Sequence, residues 1–435
     1  MRPRTFKPNI LNLPRYVTKQ IKGAFNKTYE YFNIKVNIVK TPDGKKSEEL
    51  DYSHYNREAF ESIVKSLREK FGIEETITIE DLMPVGLRSC FRAPEGYYFV
   101  DADLATAEIF ALGFLSNDRN LIGALTTPDP QFAILKQPDG SKKNVRIAYL
   151  DEIVPLTEDV KDPALLHDPN DPNLLRDENG NLIHPKRDLH WEATENKYFL
   201  NTPREKLDKD STRDAAGKAS NFQIPYQASA KLLERLIENA TGKKPKEGTG
   251  KILIDAYKMM KPTAWAWLED RMNEVYNPGY YTGPSGYRRH YKIPDEDTWM
   301  PTKLREKIIS GIQRQASNIG LQSLVADTLQ RSLLMNKFFR QHGFKTRCVV
   351  PLYDAAYLVC PIEELDMAKA ALSHYLSKAN FWDLPGGKLS FNIDVEVTKA
   401  WGTKMTKQEE QEFDELYKNS IQAEFNSSDF EPLPI

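Results

Sequence analysis

The sequence predicts a mixed α/β (α+β) fold in which an antiparallel sheet is combined with a larger helical region. Three kinds of segment indicate this. Residues 96–101 form a short aromatic and β-branched run, as a strand requires, and the apolar residues of 105–116 recur at helical spacing. Residues 344–361 read as a β-hairpin with apolar residues on both arms. From 211 to 238 the pattern is again helical.

The other segments fit around these elements. Residues 8–15 look like a loop that enters the fold, and 23–83 reads as an inserted, mostly polar module with one helix near 57–70. Residues 125–187 are dominated by turn formers and are too long for an ordinary connection. We therefore expect an insertion with short elements of its own. An acidic tail follows Trp401.

Composition narrows the class of protein. A chain of 435 residues with 40% hydrophobic residues can bury a core, and its length suggests two or three packed units. No apolar run approaches the roughly 20 residues of a membrane helix, and the N-terminus lacks the pattern of a secretory signal. The three cysteines match neither a zinc site nor a disulfide framework. We expect a cytoplasmic protein without a membrane partner.

Charge is distributed unevenly although the net charge is only −2. Residues 1–27 carry seven Lys or Arg and no acid, whereas 404–435 carries eight acids and three bases. A basic arm of this kind fits a polyanionic partner, although a charge run is more often a solvated surface. The acidic tail is expected to be a disordered end, with mimicry of nucleic acid or docking of a partner as the alternatives.

Two carboxylates stand at the predicted edge of the sheet. Asp103 ends a strand and Asp354 lies at the tip of the hairpin. Either residue alone would more often serve local backbone hydrogen bonds. Together they indicate a hard divalent ion such as Mg²⁺, which prefers oxygen ligands and keeps positions open for a triphosphate and water.

A third element is the helix that follows Ser211. Lys218, Phe222 and Tyr226 are spaced by four residues and share one face, with Arg213 one turn earlier. This face can present charge to a triphosphate and rings to a base. The alternative is an ordinary amphipathic helix that buries its two rings.

Several segments in the same order resemble the motifs of DNA polymerase family A, the family of bacterial DNA polymerase I. Residues 99–118 resemble motif A, and "RDAAGKASNFQIPYQAS" resembles motif B. Residues 352–355 resemble motif C. Further matches are the Asp-Leu-His segment at 188–190, the Gly-Tyr to Arg-Arg stretch at 279–289, the polar helix at 314–322, and the entry loop at 8–15.

The resemblance implies the polymerase right-hand fold, with an antiparallel palm sheet, mostly helical fingers and a thumb that is reduced or absent. A phage-type polymerase in split or truncated form fits this pattern. The expected divisions are a basic N-terminal segment (1–22), an insertion as substitute thumb (23–83), palm with motif A (84–118), fingers with motif B and the insertion at 125–187 (119–300), palm with motif C (301–405) and the acidic tail (406–435).

The resemblance also implies an activity: template-directed addition of deoxynucleotides to a primer 3′-hydroxyl during DNA replication, with two Mg²⁺ ions or Mn²⁺ in their place. Asp103, Asp354 and the backbone carbonyl of Leu104 would bind the metal. The residues implied in nucleotide binding are Glu108, His190, Arg213, Lys218, Phe222, Tyr226 and Arg15. Those implied in primer-template binding are Arg314, Asn318, Gln322, Tyr353, Arg288 and Arg289.

Four positions depart from the family pattern. Motif C normally reads His-Asp-Glu, but here Tyr353 and Ala355 flank the aspartate, so one carboxylate is missing. Asp214 stands where an arginine is expected four residues before Lys218. Pro225 lacks a backbone donor, and we expect a kink just before Tyr226. Activity is still expected because both aspartates are present.

Two other functions stay open at this point. A catalytically impaired DNA-binding or scaffold subunit could keep the same fold, and a single-subunit RNA polymerase has a related palm. Glu108 at the sugar position argues against ribonucleotides. We further expect a second polypeptide that supplies thumb and exonuclease, and a location in the bacterial or phage-infected host cytoplasm.

Overall fold

The computed structural model of the protein describes residues 33–40, 46–71, 91–352, 354–378 and 383–430. The entry loop at 8–15, Arg15 and Tyr353 lie outside the described residues. Among the residues that are described, none of the helices combines the length and the apolar character needed to cross a membrane.

The strands are β1 (Lys35–Lys40), β2 (Lys46–Asp51), β3 (Tyr97–Leu104), β4 (Phe132–Lys136), β5 (Lys142–Arg146), β6 (Tyr280–Thr282), β7 (Arg288–His290), β8 (Arg347–Leu352), β9 (Ala355–Pro361), β10 (Asp383–Leu384), β11 (Gly387–Lys388) and β12 (Ile393–Thr398). The α-helices are α1 (Arg57–Phe71), α2 (Ala107–Ser116), α3 (Arg119–Thr126), α4 (Leu189–Glu195), α5 (Lys218–Gln223), α6 (Ala230–Thr241), α7 (Thr249–Met260), α8 (Pro262–Asn273), α9 (Thr302–Gln330), α10 (Ser332–Gln341), α11 (Leu365–Leu372) and α12 (Lys407–Asn419). Two stretches are wound as π-helix, Lys209–Gly217 and Ser373–Lys378.

The central sheet is antiparallel and has the strand order β12-β3-β9-β8. Side chains alternate between its two faces, as they do in any strand. Val100, Ala102 and Leu104 of β3 are buried in the main core, together with residues of α2, α9 and α11. The opposite face of β3 carries Asp101 and Asp103. The predicted strand, helix and hairpin are therefore confirmed.

A buried cap ties two helices of the helical region together. Asp118 accepts hydrogen bonds from the backbone N–H of Leu121 at 2.9 Å and of Ala264 at 3.0 Å. One carboxylate therefore caps the start of α3 and also holds the start of α8, because each helix N-terminus leaves backbone donors without helical partners.

The predicted insertion at 125–187 has short elements of its own, as expected. It contains the β4–β5 hairpin, which is anchored by Arg146. The Arg146 side chain is fully buried and donates hydrogen bonds to Glu205 at 2.8 Å and to Gln131 at 2.9 Å. A buried guanidinium is tolerated because its donors are satisfied by charged and amide partners.

The helical pattern predicted from 211 to 238 is interrupted, so part of that prediction is wrong. α5 ends at Gln223, and the chain turns before α6 begins at Ala230. Pro225 explains the break, since it has no N–H and its ring crowds the preceding turn. Tyr226 lies in this turn rather than on the helix, and Gln227 has a φ of 59°.

The prediction of a disordered acidic end is also wrong for the described part of the tail. α12 starts with a capping box formed by Thr406 and Glu409. Phe413 packs edge-on against Tyr98, with ring centroids 4.9 Å apart. Phe430 is 2% exposed in the main core. Apolar side chains on one side of an acidic segment are enough to dock it.

Residues 23–83 are described only in part. The described residues form the β1–β2 hairpin and helix α1, which matches the helix predicted near 57–70. The division of the chain into palm, fingers and insertions stays a prediction.

Candidate active site

The two aspartates predicted to bind metal come together at one edge of the central sheet. Asp103 is paired with Ala355 across β3 and β9, so it lies beside the turn that carries Asp354. The backbone N–H of Leu104 donates to the carbonyl of Asp354 at 2.8 Å, which fixes this turn against the strand end. Asp103 is partly buried and Asp354 is exposed. Leu352 pairs with Ala355, so Ala355 belongs to β9 and not, as predicted, to the turn.

A further carboxylate lies on the other side of Asp103, and the sequence analysis missed it. Asp394 of β12 is the direct cross-strand partner of Asp103. Side chains of directly opposed residues project from the same face of the sheet. The signal was present in the alternation of Ile393, Val395 and Val397 with acidic residues, but the pairing of β12 with β3 could not be read from it.

The donor set at this edge suits a hard divalent cation. Carboxylate and carbonyl oxygens are the ligands that Mg²⁺ prefers, and Mg²⁺ is usually held by one or two carboxylates plus substrate phosphates. In the part of the chain that the structure describes, no group of three or more His, Cys, Asp or Glu residues is arranged to hold a metal ion. Asp103 and Asp354 therefore fit a metal that completes its ligand set from nucleotide and water.

The cations predicted for the phosphates lie where a π-helix leads into α5: Arg213 is on the π-helix, and Lys218 is the first residue of α5. The backbone N–H of Lys218 bonds to the carbonyl of Arg213, five residues earlier. This winding places the two residues one turn apart, whereas an α-helix would use a spacing of four. Arg213 precedes Lys218 by five residues instead of the four expected in the motif. The wider π-helical turn compensates for this extra residue.

Both cations are engaged by acidic neighbours. The Arg213 Nε atom donates to Asp188 at 2.6 Å, and its Nη1 atom donates to Asp214 at 2.5 Å. The Lys218 Nζ atom lies 3.5 Å from the same oxygen of Asp214. Burial alone would raise the pKa of Asp214, but the Arg213 hydrogen bond and the Lys218 charge bring that pKa below its usual value.

His190, which the resemblance implied in nucleotide binding, lies in the same region. Burial lowers the pKa of His190 to about 4, in spite of the opposing charge of Asp188. The ring is therefore neutral near pH 7. The ring can therefore offer an anion a hydrogen bond but no charge.

Two residues that the sequence analysis missed orient His190. The Asn221 side-chain nitrogen lies 3.1 Å from His190 Nδ1, and the Asn221 oxygen accepts a 2.7 Å hydrogen bond from Lys261. Because Lys261 can only donate, the Asn221 amide nitrogen points at His190 and Nδ1 acts as the acceptor. This arrangement leaves the proton on Nε2. Lys261 is buried, which lowers its pKa to about 8.

The predicted sugar and base contacts meet in a small pocket. Glu108, Phe222 and Tyr226 line it together with Asn221 and Pro225. Phe222 also lies beside His190, with ring centroids 5.6 Å apart. The break at Pro225 does not separate Tyr226 from its predicted neighbours.

A cleft extends from Asp394 at the sheet edge to Arg213. Its lining includes Thr106, Asp188, His190, Arg213 and Asp394, so it lies between the end of β3 and the π-helix. Its volume of 680 Å³ lies within the range of ordinary small-molecule sites.

The residues predicted to contact primer-template line a separate groove along α9. Arg314, Asn318, Gln322 and Arg289 face it, together with Tyr226. The Gln322 amide nitrogen lies 3.4 Å from the Tyr226 hydroxyl, so the groove adjoins the base pocket. Arg288 lies over the ring of Tyr280, 4.4 Å from its centroid, and does not line the groove.

Comparison with known proteins decides the family. Residues 167–403 match DNA polymerase family A, which is more than half of the chain. The chain belongs to DNA polymerase family A. Within this family it is similar to the DNA polymerase of Bacillus phage SP01, with 30% identity over 167 residues, which is 38% of this chain and 17% of that protein. It is also similar to DNA polymerase I of Lactococcus lactis, with 26% identity over 186 residues, which is 42% of this chain and 19% of that protein.

Among solved structures, one family A neighbour is the POL domain of Pol1 from M. smegmatis in complex with DNA primer-template and dNTP. The TM-score is 0.49 and the identity 14%, over 88% of this chain and 51% of that chain. The matched region thus spans about a fifth of the curated relatives and about half of this neighbour.

Proposed function

We propose that this family A chain is a template-directed DNA polymerase that adds deoxynucleotides to a primer 3′-hydroxyl. The observation that carries the proposal is the placement of Asp103 at the end of β3 beside the turn that carries Asp354. Asp394, the cross-strand partner of Asp103, lines a cleft that Arg213 also lines. A carboxylate pair opposite a cationic wall is what metal-assisted phosphoryl transfer needs.

Metal binding in this proposal rests on Asp103, Asp354 and the backbone carbonyl of Leu104. When bound, two Mg²⁺ ions would activate the primer hydroxyl and neutralise charge on the triphosphate. The carboxylates hold their positions because β3 pairs with β9 and because the turn at Asp354 is bonded to Leu104.

Nucleotide binding would use the opposite wall. Arg213 and Lys218 donate to phosphate oxygens, and neutral His190 donates from Nε2. Phe222 and Tyr226 contact the sugar and the bases, while Glu108 crowds the 2′ position of the sugar. The shared pocket of these last three residues supports the assignment.

Primer-template binding would use the groove along α9. Arg314, Asn318 and Gln322 can read minor-groove acceptors without discriminating sequence, because those acceptors are similar in all base pairs. Arg288 and Arg289 would contact phosphates. Roles for Arg15 and Tyr353 stay predictions from the sequence.

A second polypeptide with thumb and exonuclease also stays a prediction. The described residues within 23–83 form one hairpin and one helix, and this described part contains no helical pair that could serve as a thumb. Addition of a candidate subunit to the extension assay would test the prediction.

The experiment offers single nucleotides to a labelled primer on four DNA templates that differ in the first templating base. We expect incorporation of the complementary deoxynucleotide alone, and relaxed exclusion of ribonucleotides in Glu108→Ala. Incorporation that ignores the template base would contradict the proposal, a preference for ribonucleotides would indicate an RNA polymerase, and binding without any extension would indicate the scaffold.

A further inference from the structure

One carboxylate engages both Arg213 and Lys218, the two cations proposed to bind phosphates. Asp214 Oδ1 accepts a 2.5 Å hydrogen bond from Arg213 Nη1 and lies 3.5 Å from Lys218 Nζ. The side chains of Asp214 and Lys218 are 32% and 51% exposed, so the contact opens onto solvent. A single oxygen between two cations has the surroundings that a phosphate oxygen would have.

The backbone explains why Asp214 can do this. In the π-helix, Arg213 lies one turn before Lys218. Asp214 follows Arg213 directly in the chain and precedes Lys218 by four residues. Asp214 therefore reaches one cation as a chain neighbour and the other as an i,i+4 partner.

The charges of Arg213 and Lys218 are balanced by their two carboxylate partners. Asp188 holds the Nε atom of Arg213, and Asp214 holds its Nη1 atom. Arg213 and Lys218 supply two positive charges, Asp188 and Asp214 supply two negative charges, and His190 is neutral near pH 7. A triphosphate must therefore displace a carboxylate before it gains the full attraction of both cations.

We propose that Asp214 takes the place of a phosphate oxygen in the nucleotide-free site and lowers the affinity of Arg213 and Lys218 for polyphosphates. This inference rests on the proposed function for the identity of the ligand.

The test measures binding of inorganic tripolyphosphate by calorimetry, at low salt and without metal, in Asp214→Asn. Removal of two partly exposed ion contacts should tighten binding about three- to tenfold. Asp210→Asn is the matched control, because Asp210 is an exposed acid on the same π-helix and its loss changes the net charge equally. We expect less than a twofold effect there.

Unchanged or weaker binding in Asp214→Asn would overturn the proposal, since Asp214 would then only orient Arg213. The same holds if Asp210→Asn has an equal effect. Asp214→Ser serves as a second variant if Asp214→Asn does not fold. In the Lys218→Ala background, Asp214→Asn should increase the affinity for tripolyphosphate by a smaller factor. Because this assay needs no primer extension, tighter tripolyphosphate binding by a chain that extends nothing would uphold the role of Asp214 and reject the polymerase.

Discussion

Gly217→Ala should push the π-helix away from the helix that carries His190. A Cβ atom at Gly217 would lie 2.3 Å from the His190 carbonyl oxygen and 2.9 Å from its carbonyl carbon. Contacts this short do not occur, and the obstacle is backbone rather than the end of a flexible side chain. The same carbonyl accepts a 3.2 Å hydrogen bond from Thr194, which limits its movement. One of the two elements must therefore shift.

The cost follows from the size of the overlap. Overpacking of a buried contact destabilises by about 1–3 kcal/mol. The shift would also strain the 2.8 Å hydrogen bond from Asn221 to the carbonyl of Leu189. We expect a lower free energy of unfolding in urea, together with a raised KM for nucleotide because Arg213 and Lys218 move with the π-helix.

Gly311→Ala is the matched control, because it makes the same substitution in helix α9. The nearest atom to its added Cβ is Arg314 Nη2 at 3.9 Å, so the methyl group has room. Helix propensity predicts a gain of about 0.5–1 kcal/mol at this position. The reasoning is refuted if Gly217→Ala is as stable as the wild type while Gly311→Ala behaves as expected.

Three further predictions concern protonation, packing and charge. Burial lowers the pKa of His190 from 6.5 to about 4, so the unfolded chain takes up a proton first as pH falls. The free energy of unfolding should therefore decrease as pH falls from 6.5 to about 4. Urea titrations should show a smaller decrease in His190→Gln, and a decrease equal to that of the wild type would refute this. Phe430→Ala should lower the free energy of unfolding by about 3–5 kcal/mol, because the ring is buried against the core. Ile421→Ala, at a residue 89% exposed, should change it by less than about 0.5 kcal/mol. Equal shifts of the two thermal unfolding temperatures would count against docking of the tail. Replacement of exposed Arg288 and Arg289 by alanine should reduce the slope of log binding constant against log salt by about 2 for primer-template; an unchanged slope would exclude these residues as phosphate contacts.

Local patterns in the sequence predicted the elements that carry the metal site. β3, α2 and the β8–β9 hairpin follow from apolar spacing within about 20 residues each. The meeting of Asp103 with Asp354 was expected from the resemblance to the family A motifs, since the pairing of β3 with β9 joins segments about 250 residues apart. Asp394 could not be predicted, since it depends on the pairing of β12 with a strand almost 300 residues earlier.

The sequence could not predict the surroundings of Arg213, Lys218 and His190, because these depend on the winding of a helix and on hydrogen bonds between distant side chains. A π-helix bonds residues five apart where an α-helix bonds residues four apart, and composition does not report that difference. The hydrogen bonds from Lys261 through Asn221 to His190 join three separate segments, and burial of His190 removes the charge that its residue type suggests. The tail shows the opposite error, because its acidic composition hid the apolar spacing of Phe413 and Tyr417.

The most direct measurement is primer extension on a DNA template with Mg²⁺ and four deoxynucleotides, comparing the wild type with Asp103→Ala and Asp354→Ala. Binding of the same primer-template is measured in parallel for all three proteins. The account predicts that the wild type extends the primer and that either substitution abolishes extension while binding persists. Extension at the wild-type rate by either variant would contradict the assignment of these two aspartates to the metal site.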